Sequence, residues 1–162
     1  MPNRRRRALG VAVGILIVAA SCLPAACGGG MHDVNKSPAE GEVGQPTRFG
    51  FPGVYDVTVT VRGCTFPAEV DGQTLAVVRL TIRNNGDHSV TVFGPSHWEL
   101  DTRDRVPYQA VPLANAASLP AGQLSPGAEV SGDVYFRLPV SKSPLRLVFN
   151  DGEEVRAVWY LD

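Results

Sequence analysis

Apolar residues recur at every second position through most of the chain, and that period admits little besides β-structure. Val57, Val59 and Val61 fall on one side of an extended segment, while Asp56, Thr58, Thr60 and Arg62 fall on the other. Ala76, Val78, Leu80 and Ile82 repeat the pattern against Arg79, Thr81 and Arg83. Asn84-Asn85-Gly86-Asp87 then reads as a tight turn with φ > 0, from which Val90 and Val92 start a third strand pairing back on the second. Val130, Val134, Phe136 and Leu138 alternate in turn. Leu145, Leu147 and Phe149 are joined through Asn150-Asp151-Gly152 to Val155, Ala157, Trp159 and Leu161, which predicts a second hairpin.

A shorter strand is expected around His97 to Asp101, closed by the charged turn from Thr102 to Arg105. Residues 106–128, with four prolines, read as a long loop. At Gly63 the inward set must change from odd to even positions if Cys64 and Phe66 are to be buried, so a bulge is expected there. The fold class that follows is an all-β antiparallel sandwich of about seven strands occupying residues 51–162, large enough to bury one core between two sheets without a disulfide.

The N-terminus has another character. Arg4 to Arg7 precede an unbroken apolar or glycine run from Ala8 to Ala20, then Ser21-Cys22-Leu23-Pro24-Ala25-Ala26-Cys27. Basic head, apolar core and small-residue exit describe an export signal over residues 1–26. A small residue before Cys after such a core is similar to the lipobox of bacterial lipoproteins, in which the Cys sulfur carries a diacylglyceryl group. Cys27 is the favoured site because Ala25-Ala26 precede it and Gly28-Gly29-Gly30 follow; Cys22, preceded by Ala19-Ala20-Ser21, is the alternative. Residues 27–50, rich in Gly and Pro, read as a flexible lipid-anchored tether with a root-mean-square span of roughly 25–29 Å and a full reach of roughly 80 Å. The domain is then expected on the extracytoplasmic face of the cell membrane.

Three segments carry a resemblance to a known family: Val43-Gly44 through Gly53-Val54-Tyr55-Asp56-Val57-Thr58-Val59, Val78 through Gly86, and Pro126-Gly127-Ala128-Glu129-Val130 through Phe136. They are similar to an uncharacterised family of immunoglobulin-like domains carried on lipoproteins of Gram-positive bacteria and related to a secreted mycobacterial immunogenic antigen. The likeness covers about residues 43–150 and implies an immunoglobulin-like sandwich. It supplies no catalytic residues, because its motifs are turns and core positions.

Charge is nearly balanced, 15 basic groups against 16 acidic, and four of the basic groups belong to the leader. The exported part is mildly acidic, which argues against a nucleic-acid partner. His32, His88 and His97 show no metal-ligand spacing, so neither a metal nor a cofactor is expected. The acidic turns Asp101–Asp104 and Asp151–Glu154 lack the alternate spacing of a calcium loop and read as solvated. Ser96-His97 lies outside any Gly-x-Ser-x-Gly elbow, and the chain is not expected to be an enzyme. Trp159 reads as core, whereas Trp98, Tyr108 and Val111 form the candidate interaction patch, presented to an envelope protein or ligand. A structural envelope component without a specific ligand is the competing expectation.

Cysteine parity makes the anchor testable. Intact mass of the membrane-extracted protein is expected to show a diacylglyceryl group on Cys27 and one titratable thiol, Cys64. A chain beginning at Cys22, with Cys27 bridged to Cys64, is the other outcome; a full-length unmodified chain would overturn both.

Overall fold

The alternating valines become strands because their inward side chains meet a common aromatic core. The computed structural model describes residues 32–33, 37–67, 69–113 and 117–161. In chain order its strands are β1 (His32–Asp33), β2 (Ala39–Glu42), β3 (Pro46–Phe51), β4 (Tyr55–Thr65), β5 (Glu69–Val70), β6 (Gln73–Asn84), β7 (Val90–Thr91), β8 (Trp98–Thr102), β9 (Pro107–Val111), β10 (Gln123–Leu124), β11 (Glu129–Pro139), β12 (Pro144–Asn150) and β13 (Val155–Tyr160). Among the described residues a single 3-10 turn, Pro95–His97, precedes β8.

One sheet runs β1-β3-β4-β6-β11, with β5 attached to β6; the other runs β9-β8-β12-β13-β2. Neighbours are antiparallel except β1 with β3 and β2 with β13. Strand β9 belongs to both sheets. Its first residues pair with β8, Pro107 to Gln109 against Asp101 to Glu99, and its last with β11, Ala110 and Val111 against Phe136 and Tyr135. The all-β sandwich is therefore as expected, with more strands than the seven predicted. The surplus is three two-residue strands, β1, β5 and β10, the pair β2 and β3, and β9 within the segment expected to be a loop.

Strands β2 and β3 correct the tether boundary at residue 50. Phe49 is fully buried, and it packs against Phe149, Trp159 and Tyr55 at centroid distances of 5.2, 5.9 and 6.4 Å. Thr47 accepts a 3.0 Å hydrogen bond from the Trp159 indole, and Gly41 sits against that ring where a Cβ would collide. Composition marks this segment as loose, yet one phenylalanine and one threonine bury enough to order it. Gly44, at φ +84°, turns the chain from the second sheet into the first.

The expected pairing of the Val90 strand on β6 does not form. Both edges of β6 are occupied, by β4 and by β11. Asn84 to Asp87 contain no positive φ, and the chain arches to β7, which pairs with β10. Buried Asn84 holds the arch: its Nδ2 donates to His88 O at 2.7 Å and Leu124 O at 2.9 Å, and its Oδ1 accepts from Gly86 N at 2.9 Å. The β12–β13 hairpin forms as predicted, with Gly152 at φ +99°. The Gly63 bulge is present as a register shift against β6, and Cys64 packs on the core, but Phe66 is exposed. The proline-rich 106–128 segment is not all loop, since it contains β9 and β10.

Asn84→Ala is expected to lower stability by about 2–3 kcal/mol, because it leaves two carbonyls and an amide of the arch without their partner. Chemical denaturation measures this, and an unchanged midpoint would contradict the role given to that side chain.

A candidate interaction cavity beside the shared strand

The point where β9 crosses between the sheets leaves a gap in the packing. It is an apolar cavity of about 210 Å³ lined chiefly by Phe93, Trp98, Val111, Leu113, Leu119 and Tyr135. Its floor is rigid. Gly132 approaches the backbone of Leu119 so closely that a Cβ would collide, and Leu119 N donates to Asp133 O at 3.0 Å. Asp133 borders the cavity, but both its oxygens are held by Arg79, Nε at 2.8 Å and Nη2 at 3.1 Å. The carboxylate is thereby committed to a bidentate pair.

Of the patch read from sequence, Trp98 and Val111 come together in this cavity and Tyr108 does not. Trp98 is also not the exposed aromatic expected. It has no solvent exposure, packs in tilted contact with Phe149 at 5.1 Å and Trp159 at 6.1 Å between ring centroids, and donates its indole N–H to Phe93 O at 3.3 Å. The reason is β8's alternation, which turns Trp98, Leu100 and Thr102 inward and leaves Glu99 and Asp101 outside. Tyr108 lies half-buried opposite Leu100, further along β9. Cys27 and Cys22, with the whole leader, lie outside the described residues.

Other chemistry-bearing side chains are dispersed or already engaged. Among the described residues no three His, Cys, Asp or Glu side chains gather as a metal site. His97 belongs to the 3-10 turn and not to a strand; its Nδ1 lies 3.5 Å from Ser96 Oγ and 3.3 Å from Gly94 O. The acidic turns are less solvated than expected. Asp101 pairs with Arg146 at 2.8 Å and Asp104 with Lys142. Asp151 and Glu154 pair with Arg156, a guanidinium only 2% exposed that also stacks over Phe51. Sequence alternation gives no hint of Arg156, because the bulge between Phe149 and Asn150 displaces it from the regular register. A wider cleft of about 510 Å³ near Tyr55 and His88 is more polar, and the Asp56 carboxylate on its wall is already taken by Arg48.

This architecture has relatives. Residues 42–157 match the family model of a domain of unknown function, DUF4352, and the chain belongs to that family. A comparison with curated proteins finds no match. Among solved structures, the secreted protein MPT63 of Mycobacterium tuberculosis is similar at 20% identity and a TM-score of 0.67, over 77% of this chain and 98% of that one. The yjhA protein of Bacillus subtilis is similar at 15% identity and a TM-score of 0.54, over 75% and 98%. The ycdA protein of Bacillus subtilis, provisionally named a lipoprotein, is similar at 15% and 0.52, over 65% of this chain and 36% of that one. At these identities the likeness is one of fold.

Cys64, on β4, is half-buried with no disulfide partner among the described residues, and burial pushes its thiol from near 9 up to about 11. With the folded value raised, its contribution to stability is complete below about pH 9 and is lost as pH rises toward 11. Thiol-reagent labelling of the folded protein at pH 8 is expected to be slow and to become rapid on unfolding; fast labelling of the native state would contradict the burial.

Proposed function

We propose that this chain is a lipoprotein of the extracytoplasmic membrane face, anchored through Cys27, whose sandwich serves as a non-catalytic binding module for an envelope protein. The cavity beside β9 is the observation that carries the reading. Its volume of about 210 Å³ is below the roughly 300–1,000 Å³ usual for small-molecule sites, and matches one large apolar side chain of a protein partner. Its walls are aromatic and aliphatic, the composition of pockets that take an anchoring residue at an interface. The one carboxylate on its rim is neutralised by Arg79, so the pocket offers shape and apolar surface in place of an acid or base. The leader supports export, and the sandwich is of the kind found in secreted MPT63.

Deleting residues 106–128 is unsuitable as a test, because it would remove the strand that joins the sheets. Val111→Arg blocks the cavity from its edge, whereas Tyr108→Ala alters the same strand outside it. Cross-linked capture from envelope extracts is expected to lose its principal partner about tenfold or more with Val111→Arg at an unchanged melting temperature, and to keep it with Tyr108→Ala. Equal capture by the wild type and Val111→Arg would reject the cavity as the binding site.

A further inference from the structure

The two outer faces of the sandwich carry opposite charge. On the sheet containing β3, β4, β6 and β11, outward positions hold Arg48, Arg62, Arg79, Arg83 and Arg137 against Asp56, Glu129 and Asp133. The other sheet turns Glu40, Glu42, Glu99 and Asp101 outward, with Arg146 paired to Asp101. Arg48 and Arg79 are held by Asp56 and Asp133, although Arg79 stays 67% exposed. Arg62, Arg83 and Arg137 are exposed and have no ion-pair partner among the described residues.

The register arranges this face in rows. Thr58, Arg83 and Glu129 lie side by side; the next row is Thr60, Thr81 and Ser131, and beyond it Arg79 stands beside Gly63 and Asp133, with Arg62 at the bulge. Thr81 and Ser131 share a 2.8 Å hydrogen bond. Thr60 and Thr81 are themselves largely buried, so what this face offers outward is chiefly the bordering guanidinium groups, whose donors match phosphate oxygens.

The route of the chain says what lies near this strip. β1 pairs with β3, so the N-terminal segment enters along the edge of the cationic sheet. Four residues lie between Cys27 and His32, five Cα steps with a reach of at most roughly 18 Å, far less than a tether extending to residue 50 would give. An acyl anchor on Cys27 would keep that sheet edge at headgroup height. We infer that the arginine-bordered face of the β3-β4-β6-β11 sheet docks on anionic phospholipid headgroups of the membrane in which the chain is anchored. The inference rests on the anchored reading proposed above, and it deepens that reading by fixing which face meets the bilayer and which faces outward.

The test uses the mature chain from residue 27 with Cys27→Ser, so that no lipid is attached, sedimented with phosphatidylglycerol-containing or pure phosphatidylcholine vesicles. Binding to the anionic vesicles only, suppressed by salt, is expected. The triple variant Arg62→Gln, Arg83→Gln, Arg137→Gln is expected to lose about tenfold or more of it. Arg103→Gln, Arg105→Gln, Arg146→Gln removes equal charge elsewhere and is expected to change binding little. Equal loss in both triple variants, equal binding to both vesicle types, or binding to soluble polyphosphate without binding to vesicles would each overturn the proposal. Intact mass of the native protein decides the anchor separately, so a missing lipid and a missing vesicle interaction are distinguishable failures.

Discussion

The hydrogen bond from the Trp159 indole to Thr47 joins the two sheets at the place where the chain first passes between them. Trp159 lies on β13 and Thr47 on β3, so the bond ties an inward residue of the last strand to the sheet that the N-terminal segment enters. Its setting leaves no alternative partner. The indole is fully buried, Gly41 gives it room, and Phe49 and Trp98 close on either side at 5.9 and 6.1 Å. A buried N–H without an acceptor would cost more than the bond itself contributes, so the position of β3 is specified as well as stabilised. Phe149 extends the same core to Phe93 at 4.6 Å and to Trp98, linking the crossing of β2 and β3 to the wall of the cavity beside β9.

What could be read from sequence was the part governed by local period. The inward valines of β4, the alternation of β6 and β11, and the β12–β13 hairpin with its Asn-Asp-Gly turn each follow from side chains a few residues apart. The larger misreadings concern competition between distant segments. Asn84-Asn85-Gly86-Asp87 has the composition of a hairpin turn, but β11, forty-five residues further on, takes the edge of β6 that such a hairpin would need. Trp98 looked available beside a proline-rich stretch because nothing local shows that Phe149 and Trp159 will surround it. By contrast Asp71-Gly72, both at positive φ, carry the ordinary turn signal of the β5–β6 hairpin, which could have been recognised beforehand. Of the three patch residues read from sequence, Val111 and Trp98 line one cavity, with Trp98 buried and not exposed, and Tyr108 lies elsewhere.

The division of labour between the faces gives the module a direction. In the proposed orientation, with the arginine-bordered face toward the bilayer, the β2 and β8 carboxylates point outward, and the cavity lies where the shared strand β9 closes one flank. A short N-terminal connection and a rigid body together restrict how the cavity can be presented, in a way that a long leash would not. Arg156, paired with Asp151 and Glu154, ties the turn of the β12–β13 hairpin, next to the end at which Phe149 meets Trp98.

Both free rims of the hydrogen-bonded array, β1 and β2, come from one short stretch at the start of the described chain. A nick or displacement within residues 32–42 would uncover β3 and β13 together, turning a capped sandwich into one with two unpaired borders. These residues thus act as a seal against strand exchange between neighbouring copies, and in the proposed anchored form the same segment also carries the connection to the membrane, so that crowding on a surface and protection from self-association would be governed together.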